Sequence, residues 1–309
     1  MLYIQCCYVN QNYILATPAK NEEENLPKLI KSVLAQEIKP VVWIIVDDGS
    51  TDNTGKIIDE VCAHHDWVKK ETLGKAERDL NYRYAFVCKY GFEKGIEYCN
   101  RNKIPFSYIA LIDADIQIEP SYFKDLIKEF EKDEKLGIAS GGIYMENEKG
   151  EIKYREFLLD HPIGAARIWR KKCFEETKGY EVTKIPDTIS NVRAMMSGWK
   201  TRQFPRYKAL HARESNAVGG LLRGYYKKAK AAHYVGQPFW FVLGKCIKMT
   251  FNKPYYLGIP YFFGYISAIL TREKKIDDEK VLKYFGEIRP KQVKEEIFSK
   301  KKNKNLNTQ

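Results

Sequence analysis

Apolar positions along this chain follow two alternating patterns. Tyr13–Thr17 is a short apolar run that stops at Pro18, and Val41–Val46 (VVWIIV) is apolar throughout. A run without polar alternation fits a parallel strand covered on both faces. Between them, Asn25–Gln36 sets Leu26, Leu29, Ile30, Val33 and Leu34 at helical spacing. Asp52 or Asn53 can cap a following helix in which Ile57, Ile58 and Val61 share a face. The pattern then predicts a helix over Arg83–Cys99, a buried strand over Phe106–Ile112, a helix over Pro120–Glu131 and a strand over Leu136–Tyr144. Farther on, Ile163–Thr177 and Thr188–Ser197 read as helices, Lys200–Leu210 as short strands, and Lys300–Gln309 as a frayed basic tail. Regular alternation of strand and helix predicts an α/β fold with an open, mainly parallel sheet flanked by helices. Sheets of this kind bind ligands beyond the carboxyl ends of their strands, which directs attention to the residues just after Thr17, Val46 and Ile112.

Composition adds a spatial asymmetry. The chain has 309 residues, enough for one large domain or for a compact domain with an extension. Its 52 basic and 40 acidic residues leave a net charge of +12, which suits nucleic acid, a phospholipid surface or a phosphorylated substrate. Position separates these. Residues 1–197 carry net −4, residues 198–275 carry +13 with only Glu214 and Glu273 acidic, and the remainder carries +3. Within the basic segment lie two uncharged, aromatic-rich stretches, Ala231–Gly244 and Pro254–Thr271, flanked by Lys227, Lys228, Lys230, Lys245, Lys248, Lys253 and Arg272. The second is shorter than the ~20 residues of a bilayer span and contains Pro260, Gly258 and Gly264. Aromatics bordered by Lys and Arg predict an in-plane, monotopic or peripheral attachment to the cytoplasmic face of a membrane. A transmembrane or re-entrant hairpin and a soluble core helix are the alternatives. Aromatics held in uncharged blocks, rather than interleaved with charge, fit lipid better than nucleic acid.

Other features exclude more than they establish. Cys6, Cys7, Cys62, Cys88, Cys99, Cys173 and Cys246 form no C-x-x-C pair and no zinc spacing, so they read as buried thiols in a reducing compartment. Met1–Asn12 has no positive region followed by a long apolar run, so no secretory signal is expected. Gly49 and Gly55 are too far apart for a P-loop, Ile57 stands where Ser or Thr is required, and no G-x-G-x-x-G follows a strand. His64 and His65 read as surface residues.

Two acidic strings come directly after the buried strands. Asp47-Asp48-Gly49-Ser50-Thr51-Asp52 offers a carboxylate suited to a base or ribose edge, although the same residues are good turn and cap formers. In Asp113-Ala114-Asp115-Ile116-Gln117, positions i, i+2 and i+4 of an extended segment point the same way, so two carboxylates and an amide oxygen can converge. Oxygen ligands of that kind hold Mg²⁺ or Mn²⁺ beside substrate phosphates. The competing reading is a solvated acidic loop.

These strings, with Pro18-Ala19-Lys20-Asn21-Glu22-Glu23-Glu24-Asn25 before them, resemble the nucleotide-sugar glycosyltransferases of family 2. The resemblance continues through Gly164–Arg170, Pro186-Asp187-Thr188 and Gly198–Thr201 to Leu210-His211-Ala212-Arg213. It implies a GT-A fold and a hexosyltransferase-class enzyme. By the same resemblance, Asp48 and the backbone near Pro18 would contact the nucleobase, and Arg83 would lie near the nucleotide. Asp115 and Asp113 would bind the metal that bridges the diphosphate. Gln117 completes an Asp-Ala-Asp-x-Gln string shared with the enzymes that make dolichyl-phosphate-mannose, where that Gln contacts the metal. Asp187 falls at the catalytic carboxylate, and His211 where some GT-A enzymes supply a late metal or diphosphate ligand. Locally, Asp187 reads equally as a helix N-cap and His211 as a structural histidine. The chain departs from the family in having Lys20 for the usual Tyr, Lys178-Gly179 for Gly-Gly and Pro186-Asp187 for Glu-Asp.

The expectation is therefore a catalytic domain over 1–215 and a basic, aromatic-rich helical membrane-associating region over 216–309. The domain would carry out metal-dependent, inverting transfer from a UDP- or GDP-sugar to a lipid-linked or glycan acceptor, with no nucleic acid partner. A sugar-1-phosphate nucleotidyltransferase is the enzymatic alternative, although residues 14–25 lack the glycine-rich loop it needs. A basic nucleic-acid-binding module is the non-enzymatic one.

Overall fold

A computed structural model describes residues 10–74, 82–146, 151–156, 158–211 and 220–306. The expectations resting on Met1–Val9, Cys6 and Cys7, Ala212-Arg213 and the last three residues lie outside the described residues. The chain divides into two compact units, Met1–Glu214 and Ser215–Gln309.

The first unit is built on one sheet. In chain order it contains β1 (Tyr13–Ala19), α1 (Leu26–Leu34), β2 (Val42–Asp47), α2 (Thr54–His64), β3 (Val68–Thr72), α3 (Tyr82–Arg101), β4 (Tyr108–Ile112), β5 (Ile116–Ile118) and α4 (Tyr122–Lys132). Next come β6 (Leu136–Glu146), β7 (Ile152–Tyr154), β8 (Ala166–Arg170), α5 (Lys171–Glu176), α6 (Pro186–Met196) and β9 (Lys200–His211). The strand order is β3-β2-β1-β4-β8-β6-β9-β5, with β7 hung on β6. Strands β3, β2, β1 and β4 are parallel, as are β6 and β9, whereas β8 runs antiparallel between β4 and β6. The result is a mixed but mainly parallel sheet.

The apolar runs lack polar alternation because both sheet faces are covered. Tyr13, Leu15, Trp43, Ile45, Tyr108 and Ala110 pack on one face against α1, α2 and α4 through Leu29, Ile58, Leu126 and Phe130. Ile14, Ala16, Val42, Ile44, Ile109 and Leu111 pack on the other against α3 through Val87, Cys88 and Phe92. Each strand thus feeds two cores, so nothing along it calls for a polar position.

Three local expectations are corrected. Ile163–Thr177 is not one helix: Ala166–Arg170 is strand β8, and only Lys171–Glu176 is helical. Its five strand residues do alternate, with Ala166 and Ile168 joining one core and Trp169 the other, but the run is too short to show a period. Tertiary pairing with β4 and β6 decides it. Asp113–Ile116 is not extended but turns, with Ile116 N–H donating to the Asp113 carbonyl at 3.1 Å before β5 begins. Finally, α11 (Arg289–Leu306) carries helix into the segment expected to fray.

The second unit contains α7 (Leu221–Tyr234), α8 (Phe239–Thr250), a 3₁₀ turn (Tyr255–Leu257), α9 (Gly258–Leu270), α10 (Glu279–Lys283), a π turn (Tyr284–Ile288) and α11. The uncharged stretch Ala231–Gly244 is not one element, since Gly236 takes φ +76 and Pro238 starts a new helix. Ala229, Ala232, Val242, Cys246, Tyr261 and Tyr265 form this unit's core. Among the described residues no helix is long and apolar enough to cross a membrane.

Lys245 of α8 donates to Gln237 Oε1 at 2.7 Å, and burial, reinforced by the Arg289 charge, pushes its amine down from 10.5 to about 8. Between those two values the unfolded chain binds more protons than the folded one, so stability rises as pH increases from about 8 to 10.5. Lys245→Met, which removes the buried charge, is expected to stabilise the protein at pH 7 by about 1–3 kcal/mol and to abolish that rise. Denaturant unfolding at pH 7 and pH 10 measures both; a destabilised Met variant would contradict the account.

Candidate active site

The carboxyl ends of β1, β2 and β4 bring the first three motifs together. The loop after β1 is tied to the loop after β2 by reciprocal bonds. Thr51 N–H donates to Asn21 Oδ1 (2.8 Å), Asn21 N–H to Ser50 Oγ (3.1 Å), and Glu22 N–H to Thr54 Oγ1 (2.7 Å). Gly49 allows the turn by adopting φ +67. Asp47 and Asp52 serve this scaffold, Asp47 Oδ1 accepting from Ser50 N–H and Asp52 Oδ1 from Thr54 N–H. The turn-and-cap reading therefore holds for Asp47 and Asp52, and the Asp48 carboxylate takes no part in it. Asp48 is buried, its N–H bonded to the Ala19 carbonyl, and its side chain faces two cations. Arg83 Nε donates to Asp48 Oδ1 at 2.8 Å, and Lys20 Nζ lies 3.4 Å from Oδ2. Pro18 pairs with Val46 in the β1–β2 ladder, one step before the Ala19–Asp47 pair.

Asp113 immediately follows β4. Its N–H donates to the Ala165 carbonyl, and its Oδ1 accepts from the Tyr84 hydroxyl at 2.7 Å. Burial foremost, then the negative charges of Asp115, Asp187 and Glu22, push its carboxyl well above the ordinary range, against the Tyr84 bond. Those acidic neighbours come from three separate segments, the loop after β1, the turn after β4 and the start of α6. Through the turn, Asp113, Asp115 and Gln117 stay half-buried while Ala114, Ile116 and Ile118 seal into the core, so the alternation survives without an extended backbone. Antiparallel pairing of β5 with β9 sets Ile116 opposite His211, whose Nε2 lies 3.6 Å from Asp115 Oδ1. Gln117 is registered opposite Leu210. Among the described residues, no three His, Cys, Asp or Glu side chains form a ready metal cage.

Asp187 approaches from the far side. Helix α6 begins at Pro186, so Asp187 occupies its first turn and is not the N-cap, which is Ile185. Its Oδ1 accepts from the Tyr180 hydroxyl at 2.7 Å, and Arg167 Nη1 lies 3.8 Å from the same oxygen and donates to the Asp187 carbonyl at 3.2 Å. Arg167 is wholly buried, and donates also to the Ile163 and Pro162 carbonyls and to Asn191 Oδ1. Helix α3 supplies Tyr84 and, one turn on, the buried Cys88, whose thiol is pushed well above its ordinary range by burial foremost. Burial holds the Tyr84 and Tyr180 phenols well above their ordinary range, so they remain protonated donors.

Tyr84, Arg167, Tyr180 and Glu22 have no role legible in the sequence. Tyr84 sits in a helix that only its apolar period reveals. Arg167 is hidden in a segment whose pattern reads as helix, where a charged residue raises no question; within a buried strand it stands out.

Parallel strands ending in acidic loops fit the GT-A architecture of nucleotide-sugar glycosyltransferases. The glycosyl transferase family 2 profile matches residues 15–199, and the chain belongs to that family. This decides between the two enzyme classes left open by the sequence. A poly-beta-1,6-N-acetyl-D-glucosamine synthase of Staphylococcus epidermidis is 30% identical over 245 residues, 71% of this chain and 54% of that protein. The chain spans about half the length of the curated relatives it matches. Among solved structures, the mannosyltransferase PcManGT from Pyrobaculum calidifontis, in complex with GDP-Man and Mn²⁺, superposes with a TM-score of 0.53 at 12% identity, covering 85% of this chain and 74% of that one. S. aureus TarS 1-349 in complex with UDP-GlcNAc superposes with a TM-score of 0.51 at 11% identity, over 84% and 73%. These two likenesses show the fold.

Proposed function

We propose that this glycosyltransferase moves a sugar, with inversion, from a UDP- or GDP-sugar to a lipid-linked or glycan acceptor at a membrane surface. The observation that carries the reading is that Asp48, Asp113 and Asp115 follow the carboxyl ends of the parallel strands β2 and β4, with Arg83 on Asp48 and His211 Nε2 3.6 Å from Asp115 Oδ1. Carboxylates gathered at one strand edge are relieved by a cation. Asp113 and Asp115, with His211 close to Asp115, present hard oxygen donors and one imidazole, a set that suits Mg²⁺ or Mn²⁺. Gln117 would join them from β5. A divalent cation bound there would supply positive charge to the departing diphosphate.

The chain's own residues supply the rest. Pro18 backbone and Asp48 would receive the nucleobase, with Arg83 shared between Asp48 and the nucleotide. Asp187 would accept the proton of an acceptor hydroxyl as general base. Were the acceptor a polyprenyl phosphate, its oxygen is already anionic and Asp187 would orient it instead. A binding and hydrolysis screen of UDP- and GDP-sugars with Mn²⁺ or Mg²⁺ tests the reading. Asp115→Ala is expected to weaken metal-dependent donor binding by more than about tenfold. If no donor binds in a metal-dependent way, the reading is wrong.

Membrane association rests on the second unit. On α8, Trp240, Leu243, Ile247 and Phe251 stand exposed at helical spacing, with Phe251 at 78%, and α9 exposes Ile259, Phe263 and Leu270, the last at 77%. Lys248, Lys253, Arg272, Lys274 and Lys275 are exposed on and beside these helices, and each adds about 1 kcal/mol at an anionic surface. Flotation with phosphatidylglycerol-containing vesicles is expected to carry the wild-type chain. It should carry much less of a variant with Trp240, Phe251 and Phe263 all changed to Ser, and equal flotation would refute the attachment.

A further inference from the structure

We infer that Tyr180 is a positioning residue that makes Asp187 a one-sided carboxylate, with Oδ1 held and Oδ2 presented to the acceptor. The inference rests on the reading of Asp187 as the acceptor-side carboxylate. The two oxygens of this group have opposite surroundings. Oδ1 takes the Tyr180 hydroxyl at 2.7 Å and lies 3.8 Å from the Arg167 guanidinium. Among the described residues no donor reaches Oδ2, although the side chain keeps 34% of its surface exposed. The carboxylate lies over the bare α-carbon of Gly164, Oδ2 nearest: a Cβ built there would stand 1.9 Å from Oδ2, 2.4 Å from Cγ and 2.8 Å from Oδ1. Any side chain at position 164 would displace the carboxylate, so the chain leaves room on one side while it clamps the other.

Tyr180 is itself fixed. It is 2% exposed, with its ring edge-on to Phe92 at 5.6 Å and to Trp169 at 5.9 Å. Arg167 holds the Asp187 main chain through its carbonyl, so backbone and side chain of Asp187 are anchored by different residues. With Oδ1 engaged by Tyr180, Oδ2 is the oxygen that keeps both its acceptor sites for an acceptor O–H. A carboxylate with both oxygens free to rotate would present neither consistently.

The test uses the whole chain and water as acceptor, reading nucleoside diphosphate released from UDP-N-acetylglucosamine or GDP-mannose in the presence of Mn²⁺. Tyr180→Phe keeps the ring packing and removes only the hydroxyl. It is expected to lower kcat about tenfold or more while leaving the donor KM and the thermal midpoint unchanged, since the donor side of the site is untouched. Gly164→Ala should lower kcat further by pushing Oδ2 aside. A merely structural role for Tyr180 would instead lower the thermal midpoint, or move KM and kcat together. If Asp187→Asn is inactive but Tyr180→Phe and Gly164→Ala turn over at the wild-type rate, the inference fails and the reading of Asp187 stands. If Asp187→Asn is itself fully active, or the wild type hydrolyses neither donor, the underlying reading fails and takes this one with it.

Discussion

Asp187→Asn is expected to reduce sugar transfer by about two to four orders of magnitude while leaving donor binding intact. The amide is nearly isosteric, its Oδ1 can still accept from Tyr180, and the bond from Arg167 to the residue 187 carbonyl is unaffected. Folding should therefore be preserved, and what is lost is an oxygen able to take a proton. Asp187 lies on α6 and makes none of the Asp48, Lys20 and Arg83 contacts, so nucleotide affinity is expected to hold. Two measurements check the expectation: steady-state transfer, and nucleotide affinity by calorimetry. Loss of nucleotide affinity in step with activity would point to a collapsed site and contradict the assignment. The departure from the family's usual Glu-Asp matters here, because Pro186 precedes Asp187 and no adjacent carboxylate can substitute.

Arg167→Met should unfold the first unit more readily, by about 3–5 kcal/mol. The guanidinium is fully buried and donates to the Pro162, Ile163 and Asp187 carbonyls and to Asn191 Oδ1, besides stacking 5.2 Å from the Trp169 ring. Met fills much of the volume but removes the guanidinium donors; the Pro162 carbonyl keeps its bond from Asn191 Nδ2 at 3.0 Å, and each group left unsatisfied costs about 1–3 kcal/mol. Because the same acceptors fix the chain on either side of β8 and the start of α6, residual activity should fall with stability. Chemical denaturation gives the answer directly. A loss below about 1 kcal/mol would show that water or a local shift satisfies these groups.

These two expectations differ in how far the sequence could reach them. Asp187 is legible through its place in a motif, and Asp48, Asp113 and Asp115 through their positions after apolar runs. Those runs announce their strands because a strand buried on both faces must be continuously apolar. Arg167 and Tyr180 are not legible, because their significance depends on contacts with segments distant along the chain. Arg83 is visible as a weak match, and its pairing with Asp48 emerges only once α3 and the β2 loop are side by side. In the second unit, helix breaking at Gly236 and Pro238 turns one uncharged stretch into two helices, and only the packed unit distinguishes Tyr261 and Tyr265 in its core from Phe263 in solvent.

By itself, then, the sequence determined the parallel half of the sheet, the acidic loops at its carboxyl edge and the concentration of positive charge in residues 198–275. Each is a local property, written in hydrophobic period, turn residues and charge. The tertiary structure decided that β8 is a strand, that Asp113–Ile116 turns, and that Asp187 meets Tyr180, Arg167 and Gly164. Those outcomes depend on strand pairing and on burial by remote residues, which act only after the chain has closed on itself.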